Sequence, residues 1–450
     1  METPEKQVPT SIFQSTTARM IMVGFLSLFL LIPLEFVKNL INERSLRKQE
    51  VISEVANLWG KNVQFYGPML KIPYKTIIET HVEDAKTKKI TIQRKLAYDF
   101  VYFFPETLNN KSNVKKNTSL KRGIYNNVVF TASMNFDGNF AKLNCQKLGI
   151  KPEDIVWEKT VIVVKTTNLK SIKSDLKIKL NEQILSFESK PSDENDMYGT
   201  LESDFFDYKL LSKNENIDFS FNMSYNGSDS VDFVPVGKVT NISINSDWES
   251  PSFDGAFSKN DTTFRSTPKG FHADWKVLEI NRPFSQQFIT KIPNLAEYSF
   301  GVTLLETVNE YQQNERVSKY GFLVIALTFI VFFMIQSISK IKIHIFQYSM
   351  IGLALIMFYT LLISITEHSS FALAYLIASV SVIAMIVLYS VSILQNKKFP
   401  MFIGFSLIAL YTFIFVIIQL ENYALLVGSI GLFMILGAIM YFSRRIDWNK

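Results

Sequence analysis

The chain has 450 residues, of which 47 are Lys or Arg and 41 are Asp or Glu, so its formal net charge is +6. A hydrophobic content of 48%, a charged content of 20% and a mean hydropathy of +0.13 together exclude a disordered protein, an entirely soluble globule and a bare bundle of membrane helices. Residues 320–442 contain only four basic and two acidic side chains. The composition therefore indicates a membrane protein with a large soluble part.

Six segments are apolar over about the 20 residues that a helix needs to cross the hydrocarbon core of a bilayer. Arg19 precedes the first of them, as in a signal peptide, but no small-residue cleavage site follows, so we interpret this segment as an uncleaved anchor. The predicted spans are residues 20–37, 321–338, 348–365, 371–394, 402–420 and 423–442.

The short connecting segments predict the orientation of the spans. SKIKIH after the second span, QNKKFP after the fourth and the tail SRRIDWNK are basic, whereas the intervening TEHSS and QLENY contain no Lys or Arg. The positive-inside rule therefore places both termini in the cytoplasm. The predicted order is a cytoplasmic N-terminal tail (1–19), a transmembrane anchor (20–37), a periplasmic β-rich domain with an N-terminal helical stalk (38–319), a five-helix transmembrane region (320–442) and a cytoplasmic basic tail (443–450).

The soluble domain is predicted to begin with a helix and to continue as strands. Residues 42–59 have apolar side chains spaced mainly by threes and fours, and Gly60 is suited to end this helix. Residues 217–225 then alternate apolar and polar side chains, and Asn226-Gly227 followed by residues 231–234 predicts a β-hairpin. Shorter alternating runs are found at residues 130–136, which end at Asp137-Gly138, at 176–180 and at 242–244.

Two polar stretches of the soluble domain are predicted to be exposed loops. They are the Lys- and Asn-rich residues 109–121 and the acidic residues 190–197. The strands between such stretches predict an antiparallel, sandwich-like β domain of one or two lobes. The predicted fold is thus six transmembrane α-helices with a large β-rich extracytoplasmic domain inserted between spans 1 and 2.

Several segments that together cover nearly the whole chain resemble a known family in their order and topology. They include IPLEFVKNLINER, YGPMLKIPY, RGIYNNVVFTASMNFDGNF, NGSDSVDFVPVG, SDWESPSFDGAF, GFHADWKV, INRPFSQ, FGVTLLETVNEYQQNERVSKYG, HIFQYSMIGLALIMFYTLLISITEHSSF and RRIDW. The chain resembles the CreD family, bacterial inner-membrane proteins associated with cell-envelope integrity and colicin tolerance. The resemblance implies a location and a process but no reaction. His344-Ile345 departs from the family, which usually has His-Pro there.

The excess of positive charge does not indicate a nucleic-acid partner. It lies mostly between and after the apolar segments, and no aromatic RNA-binding pattern accompanies it. Cys145 is the only cysteine, and the four histidines are scattered, so an intrachain disulfide is excluded and a zinc cluster is not expected. We expect no cofactor, and we interpret Cys145 as a small buried hydrophobe.

Glu367 and His368, at the outer end of the third span, are the candidates for chemistry in the membrane region. An acid beside an imidazole at a membrane surface is suited to relay a proton or to hold a metal. Adjacent residues on a helix point about 100° apart, however, so the two side chains do not meet without a turn. We favour the interpretation that they form a polar helix end.

His272 and Asp274, with Asp247 and Asp254 upstream, are the candidate metal ligands of the soluble domain. One imidazole with three carboxylates is a poor zinc set, and a calcium loop needs denser Asp, Asn and Gly spacing. Strand alternation places His272 and Asp274 on one face and Trp275 on the other. We therefore interpret the pair as part of an exposed polar strand face.

The segment SDWESPSF is rich in aromatic and polar side chains and is suited to line a ligand groove. We favour packing of Trp248 and Phe253 into the domain core, because large aromatic side chains are mostly buried. No G-x-S-x-G elbow, H-E-x-x-H helix or Walker glycine loop is present, and the predicted spans carry no charge at mid-membrane. The sequence thus contains no recognisable catalytic set.

These observations predict a non-enzymatic inner-membrane protein that holds a β-rich binding domain in the periplasm. The expected partners are the lipid bilayer, envelope components and other membrane proteins, and the oligomeric state is left open. One alternative is a membrane-embedded enzyme or lipid handler that uses Glu367 and His368 at the outer membrane surface. Another is a sensory subunit, which would need a partner kinase because the cytoplasmic loops are too short to form an output domain.

Overall fold

The computed structural model forms two compact units, one of residues 1–50 with 308–450 and the other of residues 51–307. Cys145, most of the acidic stretch 190–197 and the end of the basic tail lie outside the described residues. The structure describes residues 16–83, 90–122, 125–143, 148–191, 197–213, 215–304, 310–339, 341, 343–394, 398–420 and 423–444.

The first unit is helical, and the six predicted membrane spans are confirmed. Among the described residues, six helices are long and apolar enough to cross a membrane: the stretch Thr17–Trp59, formed by α1 and α2, and each of α5 to α9. The α-helices of the described residues are α1 (Thr16–Phe29), α2 (Leu31–Trp59), α3 (Tyr208–Ser212), α4 (Glu310–Lys319), α5 (Gly321–Ser339), α6 (Ile345–Thr366), α7 (Phe371–Ile393), α8 (Lys398–Gln419) and α9 (Ala424–Ser443). Of these, only α3 lies wholly within residues 51–307.

Small residues and a few polar bonds hold the membrane helices together, because the hydrophobic effect drives no association between helices in lipid. Gly352 of α6 lies so close to Leu30 that an added Cβ would clash with it. The hydroxyl of Tyr348 donates a hydrogen bond to Gln336 Oε1 at 2.8 Å, which joins α6 to α5. Gly352 therefore lets α6 approach Leu30 closely.

The predicted helical stalk is present as the C-terminal part of α2, which ends at Trp59. Gly60 follows with φ +125°, a conformation that L side chains rarely adopt, and a Cβ at this position would clash with Ser171 and with the backbone of Asn226. The hydroxyl of Ser171 donates to the carbonyl of Trp59 at 3.0 Å. A glycine is thus required where the helix meets the sheet.

The second unit, which we also call the soluble unit, is a mixed, mostly antiparallel sheet. The described part of the chain contributes the strands β1 (Val63–Glu83), β2 (Ile90–Phe103), β3 (Thr107–Arg122), β4 (Tyr125–Phe140), β5 (Val161–Thr166), β6 (Lys177–Leu180), β7 (Gln183–Lys190), β8 (Gly199–Ser203), β9 (Ile217–Gly227), β10 (Ser230–Phe233), β11 (Val239–Ser246), β12 (Ser252–Gly255), β13 (Arg265–Thr267), β14 (Gly270–Leu278), β15 (Gln287–Ile289) and β16 (Phe300–Thr303). Only the β1–β10 and β3–β11 pairs are parallel among the pairs of these strands.

The strands form two layers that are joined through β7. The first layer has the order β12-β16-β10-β1-β5-β8-β7, with β2 paired to β1 and β15 to β2. The second layer has the order β6-β9-β4-β3-β11-β14-β13. The first half of β7 pairs with β6 and its second half pairs with β8, so this strand passes from one layer to the other.

Aromatic side chains fill the space between the two layers. The ring of Phe65 in the first layer stacks on Phe136 in the second at a centroid distance of 4.2 Å, and Phe136 stacks in turn on Phe221 at 4.6 Å. Trp275 of the second layer lies 5.7 Å from Phe300 of the first. These rings are buried, so the predicted sandwich-like arrangement is confirmed.

The hairpin predicted at Asn226-Gly227 is wrong, although residues 217–225 do form a strand. Strand β9 extends through Gly227 and pairs with β4 and β6, whereas β10 pairs with β1 and β16 in the other layer. Gly227 lies against the ring of Phe130 and the side chain of Val63, where a Cβ would clash. The glycine therefore lets the chain pass between the layers instead of reversing it.

The exposed loop predicted at residues 109–121 is also wrong, because these residues form most of β3. Leu108 and Val114 are buried, and so are the polar side chains of Asn110 and Ser112 between them. Ser112 Oγ donates to Asn110 Oδ1 at 2.6 Å, and Asn110 Nδ2 donates to the carbonyl of Asn135 at 3.4 Å. The strand buries these groups because they satisfy one another's hydrogen-bonding needs.

The other predicted strands are confirmed, with one difference in length. The run at residues 176–180 forms β6 from Lys177 onward, and the run at residues 242–244 lies in β11. The run at residues 130–136 lies in β4, but β4 continues through Asp137-Gly138 to Phe140. A Cβ at position 138 would clash with the carbonyl of Thr107, so this glycine serves close strand packing and not a turn.

Replacing Phe136 by Ala should lower the free energy of unfolding of the second unit by about 3–5 kcal/mol, because it removes a ring that both layers contact. Urea unfolding of the full chain in detergent, followed by tryptophan fluorescence, measures this, since Trp59, Trp157, Trp248 and Trp275 lie in that unit. Asn135→Ala, at an exposed position of the same strand, is the matched control and should change the value by no more than about 0.5 kcal/mol. Equal stability of Phe136→Ala and the wild-type protein would contradict this description of the core.

Candidate functional site

His272 and Asp274 lie side by side on the outer face of the second layer. They belong to β14, in which Phe271, Ala273 and Trp275 are buried on the opposite face. His272 Nε2 lies 2.9 Å from Asp274 Oδ2, and its Nδ1 lies 2.8 Å from Asn245 Oδ1 on the neighbouring strand β11. The predicted division of β14 into a polar face and a buried face is therefore confirmed.

The polar groups around His272 are already engaged with one another. Burial opposes ionisation of Asp274, but hydrogen bonds from Ser243 and Thr263, together with His272, outweigh it and hold the pKa of the Asp274 carboxyl below its usual value. Both ring nitrogens of His272 face oxygen atoms of neighbouring side chains. This arrangement stabilises a surface network, and neither nitrogen is left to act as a metal ligand or a general base without a rearrangement.

Trp248 and its neighbour Asp247 have different environments. Trp248 is 3% exposed and belongs to the core of the soluble unit, against which Phe253 packs. Asp247 is exposed, and its Oδ1 accepts a hydrogen bond from the backbone amide of Lys116 at 2.7 Å. The expected packing of both aromatic side chains is confirmed, and Asp247 fastens its loop to β3.

Asp254 lies in an acidic pair whose second member, Asp232, the sequence analysis missed. Both residues are aligned with Gly301 of β16, Asp232 from β10 and Asp254 from β12. Gly301 has no side chain to separate them, and a Cβ there would clash with the backbone of Val231. A glycine inside a strand signals a close approach, but only the strand order identifies which side chains flank it.

Asp232 is the carboxyl of this pair that is perturbed. Burial raises the pKa of Asp232 to about 6, against the effect of a hydrogen bond from Ser230, and the charge of Asp254 raises it further. Val231 and Phe233 point into the core, so Asp232 lies on the outer face of the first layer. Asp232 is therefore a partly buried carboxyl that folding makes harder to ionise.

The candidate residues of the soluble unit do not converge on one site. Asp254 lies on the outer face of the first layer and His272 on that of the second, and the buried Trp275 lies between the layers, 5.8 Å from the ring of Phe253. In the described ranges, no three His, Cys, Asp or Glu side chains are grouped so that they could hold a metal ion. The sandwich thus separates residues that the sequence places within one short block.

Arg282 is a further buried charge that the sequence analysis missed. It is 5% exposed, its Nη2 donates to the carbonyls of Val236 and Gly237 at 3.3 and 3.2 Å, and its guanidinium lies 4.2 Å from the centre of the Phe284 ring. Burial lowers the pKa of Arg282 to about 10, so it remains charged at neutral pH. Arg282 therefore ties the Pro-Val-Gly turn after β10 to the segment INRPF.

Glu367 and His368 end α6, as the polar helix-end interpretation expects. The amide of Glu367 donates to the carbonyl of Ile363 at 3.2 Å and that of His368 to Ile365 at 3.0 Å. Glu367 Oε1 lies 3.6 Å from Nε of Arg44 on α2, and its side chain is only 16% exposed. No local pattern in the sequence indicates this ion pair, because Arg44 and Glu367 are far apart in the chain.

A ribbon of β1 and β2 has exposed apolar side chains that the sequence analysis did not single out. Its base is fixed by Asp99, which accepts hydrogen bonds from Tyr74 at 3.1 Å and Thr290 at 2.6 Å. Beyond this base, β1 and β2 pair with each other as a two-stranded ribbon. We call this part of the ribbon, residues 75–83 and 90–98, the β1–β2 arm. Among the side chains of this arm that the structure describes, the large apolar ones that are at least half exposed are Ile77, Ile78, Ile92, Leu96 and Tyr98.

Comparison with known proteins relates the whole chain to one family. A family model described as inner membrane protein CreD matches residues 15–449. Inner membrane protein CreD of Escherichia coli (strain K12) is 26% identical over 430 residues, which are 94% of this chain and 91% of that protein.

Two solved structures are similar only weakly. A putative nutrient binding protein of Legionella pneumophila has a TM-score of 0.23 at 8% identity, over 51% of this chain and 77% of its own. The Fcho1 Mu homology domain of Danio rerio has a TM-score of 0.18 at 8% identity, over 45% of this chain and 79% of its own. These scores are too low to support an argument about fold or function.

Replacing Asp232 by Asn should stabilise the second unit at pH 7.5 by about 1–3 kcal/mol, because it removes a carboxylate that is ionised at this pH and that folding buries at a cost in free energy. The raised pKa means that wild-type stability is fully present below pH 3.8 and falls as the pH rises through about 6. The gain should therefore vanish near pH 4, as measured by urea unfolding at both pH values.

Asp254→Asn is the control for this pH dependence. Asp254 is exposed, so its replacement should stabilise the protein less, mainly through its effect on Asp232. A gain for Asp232→Asn that is the same at pH 4 and pH 7.5 would show that the carboxyl of Asp232 does not titrate in this way.

Proposed function

The chain belongs to the CreD family of inner membrane proteins, and from this premise we propose that it maintains the cell envelope by binding a partner through its soluble unit, without catalysis. In this proposal the soluble unit lies in the periplasm and both termini lie in the cytoplasm. The basic segments after the second, fourth and sixth spans support that orientation. Tolerance of colicin and detergent is the expected consequence of the function.

The apolar β1–β2 arm carries the proposal of a binding function. Ile77 is 63% exposed and pairs directly with Leu96, which is 59% exposed, so the two side chains form one patch on the ribbon. Tyr98, at 57% exposed, extends it on the same face. A two-stranded ribbon is only marginally stable in water, and contiguous apolar surface on a soluble unit marks an interaction site. We propose that a partner protein of the envelope covers this patch.

The state of the polar candidates supports a function without catalysis. In the soluble unit, His272 is bonded to Asp274 and Asn245. In the helical unit, Glu367 is paired with Arg44. These contacts satisfy the groups within the protein, as in structural networks, whereas a catalytic acid or base must reach a substrate.

Deleting the gene should increase sensitivity to detergent and to colicin, and the wild-type gene should restore resistance. The double variant Ile77→Thr and Leu96→Thr should fail to restore it, because each lost apolar contact weakens partner binding by about tenfold or more. Threonine keeps the β-branched character that strands favour, so the arm itself should persist.

Ile184→Thr is the matched control for the arm, since Ile184 is 65% exposed on β7, away from the β1–β2 arm. This variant should restore full resistance at the same membrane abundance. An unchanged envelope in the deletion strain would overturn the proposed function. Full resistance with the double variant would overturn the role of the arm alone.

Variants of the helix end distinguish this function from the enzyme or lipid handler that uses Glu367 and His368. Glu367→Gln and His368→Ala should each restore resistance, because the proposed function needs no proton transfer at this helix end. Complementation of the deletion strain measures this, with Arg44→Gln as a variant that breaks the same ion pair from the other side. Loss of resistance with Glu367→Gln and His368→Ala, but not with Arg44→Gln, would favour the catalytic alternative.

A further inference from the structure

Helices α5, α8 and α9 enclose a groove of about 720 Å³ in the helical unit. Along α5 it extends from Leu327 to Ile338, and along α9 from Gly431 to Phe442. On α8 it begins at Lys398, the first residue of that helix. The two spans α6 and α7 lie between α5 and α8 in the chain, so the end of α5 and the start of α8 lie at the same side of a membrane. The next span, α9, crosses back after α8 and therefore ends at that side as well.

The groove is shorter than the full hydrocarbon core of a bilayer. Its 11 residue steps along α5 or α9 correspond to about 17 Å at the rise of an α-helix, and the 15 steps from Lys398 to Phe413 along α8 correspond to about 22 Å, whereas the core is about 30 Å thick. The ring of Phe413 packs on Gly431 at the inner end, where an added Cβ would clash with it. The groove therefore ends inside the membrane, before the opposite surface.

The lining of the groove is suited to a hydrocarbon chain. It is almost wholly apolar, and its two hydroxyl groups are turned to their own helices. Thr328 Oγ1 donates to the carbonyl of Val324 at 2.7 Å, and Ser406 Oγ donates to that of Phe402 at 2.9 Å. Beyond Lys398, the described lining residues therefore turn no hydroxyl group into the groove.

The mouth of the groove is cationic. Lys398 is the only charged side chain among the described lining residues. The N-terminus of the 22-residue helix α8 lies at the same place and adds the positive end of its dipole. Arg444 follows α9 at this end, with its guanidinium 4.1 Å from the centre of the Tyr441 ring. These groups favour a negative charge at the level of the lipid headgroups.

We propose that this groove is a binding site for an anionic phospholipid, with one acyl chain between α5, α8 and α9 and the headgroup phosphate at Lys398. A transmembrane helix of a partner is a poorer fit, because it needs the full thickness of about 30 Å, whereas the lining of this groove extends for only about 17–22 Å along its helices. The site is independent of the β1–β2 arm and of the proposed function.

Native mass spectrometry of the full chain in a neutral detergent tests this site. The protein is titrated with palmitoyl-oleoyl phosphatidylglycerol and, separately, with the phosphatidylcholine that has the same chains. The first phosphatidylglycerol should bind about fivefold more tightly than the first phosphatidylcholine, because a basic residue at this depth contributes about that factor. Lys398→Gln should reduce this preference toward equal binding.

A pair of alanine replacements tests the groove itself. Ala409 of α8 lines it, and Ala409→Trp should weaken the first binding event for both lipids by filling the space of the chain. Ala384 of α7 is also exposed in mid-span but does not line the groove, so Ala384→Trp should leave both affinities unchanged.

Three results would overturn the proposal. The first is equal wild-type affinity for the two lipids, and the second is unchanged phosphatidylglycerol binding in Ala409→Trp. The third is a wild-type dimer that Ala409→Trp dissociates, since the groove would then be occupied by a second copy. Lys398→Gln keeps the test decisive if the tryptophan variant does not fold, because glutamine retains a polar side chain of similar length at this exposed helix end and removes only the charge.

Discussion

The stacking of Phe65 on Phe136 is the contact on which the soluble unit depends. At a centroid distance of 4.2 Å, it joins β1 of the first layer to β4 of the second. Each layer has one apolar face that is stable in water only when the other layer covers it. Strand β7, which pairs in both layers, keeps them within one continuous sheet. The central strands of the sandwich therefore have an inner face, which packs, and an outer face, on which polar groups lie.

This constraint also decides where chemistry is possible. The layers of a sandwich are about 10 Å apart, and buried aromatic side chains such as Trp275 fill the space between them. The pairs His272–Asp274 and Asp232–Asp254 thus lie on opposite outer faces, although one short part of the sequence contains all four. In the helical unit the constraint is different, because backbone groups must be satisfied within each helix. There the hydroxyls of Thr328 and Ser406 bond to their own helices, and the groove between α5, α8 and α9 is left apolar.

Local patterns in the sequence were sufficient to identify elements but not their partners. The alternation of residues 217–225 correctly predicted β9, whereas Asn226-Gly227 suggested a hairpin that the two-layer arrangement replaces with a crossing. Strand β3 resembled a loop because it is rich in Lys and Asn, yet Asn110 and Ser112 satisfy each other inside the sheet. The polar face of β14 was predictable from alternation, but the contact of Glu367 with Arg44 was not.

The sequence by itself determined the six membrane spans, the β-rich insertion after the first of them and the face to which each side chain of β9 and β14 points. These properties are local, since they depend on the length and period of apolar side chains in consecutive residues. Only the tertiary structure decided that Asp232 and Asp254 flank Gly301, that the apolar side chains of the β1–β2 arm are exposed and that an apolar groove between α5, α8 and α9 opens at Lys398. The physical reason is that strand order and helix packing follow from contacts between residues far apart in the chain, whose free energies no local pattern records.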